Sequence, residues 1–206
     1  MDKNTTTRVS LLTIERCKFA LPYFFSEMII EALERTITGW IKGLDQYTLA
    51  ELRNKPSPAS WSLGQVYFHL IDNTWYYIEE AKICLSSDDH SHEQALPDGA
   101  AMLTNNEFPD TIIEGPDTNT DIPQPNNIED LKKTLAQLKD EISSLALLIS
   151  NSHYKGKTKH PGLGYFSAHD WLQFADMHFR HHLRQKKRID EFLRVNQINS
   201  DDHIKP

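Results

Sequence analysis

The chain has 206 residues, 39% of them hydrophobic and 25% charged, with a formal net charge of -7 and a sequence pI near 5.8. That balance excludes an intrinsically disordered chain and argues against a nucleic-acid partner, because general nucleic-acid binders carry a basic field. No apolar run approaches the ~18 residues that a membrane span requires, so no membrane partner is expected.

Residues 1–17 read as a loose arm. Phe25, Met28, Ile29, Ala32, Leu33 and Ile37 recur at helical spacing and predict a first helix from about Pro22 to Lys42. Pro22 suits an early helical position and Gly43 suits the end. The loop NKPSPASWSLGQ leads into a second helix, whose start carries a capping-box pattern, Ser62 with Gln65 three residues later. This helix runs to about Leu85, with Val66, Leu70, Asn73 and Tyr77 on one stripe.

Residues 86–126 change character. They hold Pro97, Pro109, Pro116, Pro123 and Pro125 and lack sustained periodicity, which predicts a long irregular insertion with short local structure. Leu96, Met102, Leu103, Phe108, Ile112 and Ile113 give it enough apolar groups to dock on the bundle. It is expected either as a packed surface loop or dimer contact, or as a rim of a substrate site. A third helix, capped by Asn126 or Asn127, carries Ile128, Leu131, Leu135, Leu138, Ile142, Leu145 and Ile149 at steps of three and four. Residues 151–166 form a connector. Ser167 with Asp170 resembles another capped start, and a fourth helix runs to about Val195, followed by a loose tail at 197–206. Period-two alternation is absent. The prediction is all-α: a four-helix bundle, one domain over residues 1–206, with a long connection between helices two and three.

Only Cys17 and Cys84 are present, too few for a disulfide framework, and the polar start MDKNTTTRVS lacks the apolar core of a secretion signal. A cytoplasmic location is expected. Without a CxxC pair, any metal here needs imidazole or carboxylate ligands. The basic run RQKKR at 184–188 reads as a solvated helix face.

The last helix raises the functional question, because it carries three histidines within five residues. At about 100° per residue, His178 and His182 lie about 40° apart. They sit inside the stripe of Trp171, Phe174, Ala175, Ile189, Phe192 and Leu193, with His181 at its edge and Gln185 one turn on. Histidines at i and i+4 can hold one ion from consecutive turns. His69, beside the Val66–Leu70–Asn73 stripe, also faces inward. The three are either hydrogen-bonded core residues or the ligands of one divalent ion with open positions. His90, His92, His153, His160, His169 and His203 fall in loops, caps or tails and receive no role.

The stretches WSLGQVYFHLID at 61–72 and HPGLGYFSAHDWLQFADMHFRHHLRQ at 160–185 resemble the DinB-like family, also called DinB/YfiT-like. The matching pattern is an HLxD-type histidine on the second helix, His69 to Asp72, with HxxHHxxQ on the last, His178, His181, His182 and Gln185. The resemblance implies a four-helix bundle, often a homodimer, with a divalent metal on His69, His178 and His182; zinc or nickel is expected because imidazole suits both. His181 matches a family histidine that is not usually a ligand. It also implies a metal-dependent enzyme acting on a small-molecule substrate. The expected type is a thiol S-transferase with a low-molecular-weight thiol as co-substrate; the alternatives are a metal-dependent hydrolase or a non-catalytic metal-binding stress-response bundle. No general base is assigned; Asp72 and Glu80 are candidates without support.

Overall fold

The structure, a computed structural model, describes residues 27–109 and 122–202, the last six of these as backbone. The expected helix start at Pro22 and Phe25, the arm at 1–17 with Cys17, and Ile112, Ile113 and Pro116 lie outside these residues, as does His203.

Helix α1 (27–43) buries Ile30, Leu33, Ile37 and Trp40, one residue every three or four positions. A single 3-10 turn, Leu44–Gln46, and a short helix α2 (Leu49–Arg53) follow, the latter opened by a capping box between Thr48 and Glu51. Helix α3 (Leu63–Cys84) starts at the expected capping box: Gln65 N–H donates to Ser62 Oγ at 3.2 Å and Ser62 N–H to Gln65 Oε1 at 3.1 Å. Helix α5 (Ile128–Asn151) is capped by Asn127, whose Oδ1 accepts from Asp130 N–H at 2.7 Å. Its buried residues are Leu131, Leu135, Leu138, Ile142, Leu145 and Ile149, the predicted stripe apart from half-buried Ile128. Helix α6 (Ala168–Asp202) begins at the Ser167–Asp170 cap.

These four long helices make the all-α bundle. Helix α3 packs on both α5 and α6, and the α1–α3–α6 core is aromatic. The Trp40 ring lies edge-on to Tyr67 at 5.0 Å and 6.0 Å from Phe179, and Tyr67 Oη donates to the Trp40 carbonyl at 2.8 Å. Among the described residues no helix is long and apolar enough to cross a membrane.

Besides the 3-10 turn and α2, the structure adds three features to the expected pattern. The connector 151–166 contains a two-stranded antiparallel hairpin, β1 (Thr158–His160) and β2 (Gly164–Phe166). Three-residue strands are too short to leave a period-two signature. The segment 86–126 contains a helix, α4 (Pro97–Asn105), with Pro97 at its first position. Helix α6 continues past Val195 to Asp202, through residues that include no glycine or proline to stop it.

The hairpin positions α4. Ala95 bridges to Gly164, Leu96 N–H donates to the Leu163 carbonyl at 2.8 Å, and Tyr165 N–H to the Gln94 carbonyl at 3.1 Å. Gly164 has φ +85, and a Cβ there would stand 2.4 Å from Leu96 N, so both its conformation and its clearance demand glycine. Helix α4 then ends in a Schellman motif: Glu107 N–H reaches the Met102 carbonyl, Asn106 N–H reaches Leu103, and Asn106 is left-handed at φ 51. The turn sends Phe108 back onto α6.

Candidate metal centre

His69 projects from the second turn of α3, and His178 and His182 from consecutive turns of α6. All three are buried, with relative exposures of 7–9%. Their ring centroids form a triangle with sides of 4.9, 4.9 and 4.7 Å. The Nε2 atoms converge: His178 Nε2 lies 3.0 Å from that of His69 and 3.1 Å from that of His182. Donor atoms held 2.0–2.1 Å from one ion sit about 2.9–3.4 Å apart, so these separations are those of a shared coordination sphere.

Protons alone do not satisfy this triangle. A neutral imidazole nitrogen is either a donor or an acceptor, and a single lone pair makes one good hydrogen bond. His178 Nε2 faces two others, so one of its two contacts stays unsatisfied, whereas a cation meets all three lone pairs at once. Burial favours the required neutral state. It lowers the pKa of His69 to about 4, with the charge of His181 adding to the effect. His182 is lowered to about 3, first by burial and then by His69, with the Gln185 hydrogen bond opposing. His178 is pushed well below the ordinary value by burial, then by His182, His69 and His181.

The outer nitrogens differ. His182 Nδ1 lies 2.8 Å from Gln185 Oε1, so it carries the proton and leaves Nε2 free to face inward. His69 Nδ1 lies 3.1 Å from the Asn73 amide nitrogen, which also donates to the His69 carbonyl at 2.8 Å. As it stands, the amide donates to Nδ1; a cation held through Nε2 would put the His69 proton on Nδ1 and so displace the Asn73 amide from that nitrogen. His178 Nδ1 is buried without a hydrogen-bond partner among the described residues.

His181 does not join the triangle. It is half-buried, its Nδ1 lies 3.0 Å from Arg184 Nη2, and its ring lies 5.1 Å from Phe108. Aromatic rings enclose the centre. Trp61, just before the α3 cap, lies 4.8 Å from His69 and stacks at 6.5 Å on His182. Tyr77 lies 5.9 Å from His178, edge-on, and Phe108 lies 6.0 Å from it, nearly parallel. Trp61 and Tyr77 were visible as a motif residue and a stripe residue, but a ring's place beside a site is set by the packing of two helices. His160, assigned no role from sequence, is half-buried against Trp171 and Phe174, and burial lowers it to about 4. Asp72 is an exposed residue whose partial desolvation raises its pKa, and burial followed by the nearby Glu80 charge raises that of Tyr76. A surface cleft of about 440 Å³ lined by Glu31, Glu34, Arg35, Lys42 and Lys139 shares no residue with the histidine centre.

The all-α bundle carries a buried three-histidine group whose ligand atoms lie close enough together that they could hold a divalent cation. The chain belongs to the DinB superfamily, which it matches over residues 32–185. That span takes in α3, α5 and most of α1, together with α6 as far as Gln185. Comparison with curated proteins gives no match.

Proposed function

We propose that this DinB-superfamily chain is a metal-dependent enzyme of the thiol S-transferase type, with a divalent ion, zinc or nickel, on His69, His178 and His182. The observation that carries the metal is the convergence of three buried Nε2 atoms with contacts of 3.0 and 3.1 Å. A bound divalent cation supplies Lewis acidity that makes a thiol or a water nucleophilic near neutral pH. The chain's own residues do the rest. The three imidazoles stay neutral because they are buried. Gln185 fixes the tautomer of His182. Trp61, Tyr77 and Phe108 pack against the histidines, and this low-dielectric surrounding strengthens electrostatic interactions with any ligand held there. Three protein ligands leave room for a small-molecule substrate beside the ion, the arrangement of catalytic rather than closed structural sites.

The thiol reading rests on the superfamily resemblance, and a direct assay separates it from hydrolysis. Purified protein loaded with zinc or nickel is offered an alkyl or aryl electrophile with and without a panel of low-molecular-weight thiols. Conversion that requires both thiol and metal supports S-transfer. Metal-dependent release of product without any thiol would instead identify a hydrolase.

A further inference from the structure

We infer that Phe108, on the arm that leaves α4, is a specificity-determining residue of the histidine centre, favouring ligands that present a flat apolar body beside the metal-binding atom. The inference rests on the metal reading above and adds to it the chemistry of the ligand.

Phe108 is only 8% exposed although it lies outside the four long helices. Its ring meets three positions of α6 at i, i+4 and i+7: Phe174 at 4.9 Å, His178 at 6.0 Å and His181 at 5.1 Å. The ring planes of Phe108 and His178 are inclined by 30°, close to stacked. Trp61, from the segment before α3, lies 4.8 Å from His69 and 6.5 Å from His182. The two rings touch different histidines, so a ligand reaching the centre meets aromatic walls from two separate segments.

The arm is tied down by contacts a surface loop does not need. Gln173 Nε2 donates to the Leu103 carbonyl at 2.7 Å, capturing the end of α4. Arg180 Nη2 donates to both the carbonyl and Oδ1 of Asn106 at 3.0 Å, while its Nε donates to buried Asp176 at 2.8 Å. Gln173 and Arg180 are two turns apart on α6 and bracket the ring. These anchors bind backbone and amide oxygens of the turn, so they fix where Phe108 sits without filling its place. Flat faces stack on flat faces with a modest energy, which gives selectivity among ligands rather than affinity for all.

The test uses Co(II), because zinc is spectroscopically silent, and two hydroxamates that share one metal-binding head. Wild-type protein, Phe108→Ala and Phe108→Leu are loaded with Co(II), and acetohydroxamate and benzohydroxamate are titrated against the visible spectrum of the ion. The expected result is one Co(II) per chain in all three proteins and an unchanged acetohydroxamate affinity. Benzohydroxamate should weaken roughly three- to tenfold in both variants. Phe108→Leu keeps an apolar contact with Phe174, so it serves if the alanine variant does not fold. Equal affinities for benzohydroxamate in wild type and variant, or equal weakening of both hydroxamates, would overturn the role of Phe108 alone. Failure of the wild type to take up Co(II) overturns the metal reading and this inference with it.

Discussion

His69 Nε2 and His178 Nε2 stand 3.0 Å apart although 109 residues separate them in the chain. The contact ties α3 to α6, which pack against each other in the bundle. With His182 on the next turn it makes a donor set that neither helix holds alone. His178→Ala and His182→Ala should each lower affinity for a divalent ion by more than about 100-fold, beyond the 10–100-fold typical of outer-shell changes. His181→Ala should retain the ion, because His181 Nδ1 lies against Arg184 and the residue is outside the three-histidine group. Metal content per chain after desalting measures all three, and equal loss from His181→Ala and His182→Ala would refute the ligand set.

Gln185 supports a quieter expectation. Its Oε1 accepts the His182 Nδ1 proton at 2.8 Å and so keeps Nε2 available. Gln185→Leu, of similar size but without an acceptor, should weaken metal binding about 10- to 100-fold while leaving the melting temperature of the metal-free protein nearly unchanged. A chelator competition assay reads the first, thermal denaturation the second. A variant with wild-type metal affinity would remove Gln185 from the site.

Much of this was legible in sequence, and the reason is local. Capping boxes at Ser62–Gln65 and Ser167–Asp170 and the leucine stripe of α5 act within one helix, so spacing alone reveals them. The inward turn of His178 and His182 follows from the same periodicity. What spacing does not carry is pairing between segments. The Ala95–Gly164 bridge, the close approach of Gly99 to the Leu163 carbonyl, where an added Cβ would stand only 2.6 Å away, and the fall of Phe108 on His178 are all long-range events. Helix α4 is nine residues long, short enough to be lost among the prolines and acids of its segment.

The pKa values of the centre set its acid sensitivity. An exposed imidazole titrates at ~6.5, which places metal release near that pH. Burial lowers His69 to about 4 and His182 to about 3, so in the folded protein protons compete with a cation only below about pH 5. The sign for stability follows. The unfolded chain takes up protons from ~6.5 downward while the folded histidines do not, so the stability they contribute is full above ~6.5 and is lost as pH falls towards 4. The slope is at most about 1.4 kcal/mol per pH unit for each histidine. Metal content and melting temperature followed from pH 7 to pH 4 should show retention to near pH 5 and a falling melting temperature in chelated protein. Half-release at pH 6.5 with the fold intact contradicts the burial argument.

Asp176 links the bundle to the arm. It is 6% exposed, accepts from Thr36 Oγ1 at 2.6 Å across to α1, and pairs with Arg180 Nε at 2.8 Å. Arg180 in turn holds Asn106. Removing one partner of a buried charge pair leaves the other uncompensated, which costs more than the pair contributes. Arg180→Ala should therefore destabilise by about 1–3 kcal/mol, moderated because the guanidinium is partly exposed. In an Asp176→Asn background, where no charge is stranded, the same change should cost distinctly less, and urea denaturation of the four proteins in the cycle measures the difference. Arg180→Ala should also free the turn at Asn106 and speed proteolysis of the arm in the metal-free protein, while Asp176→Asn alone, which keeps the Arg180–Asn106 bonds, should not. Equal costs of Arg180→Ala in both backgrounds would show that the carboxylate and the guanidinium act independently.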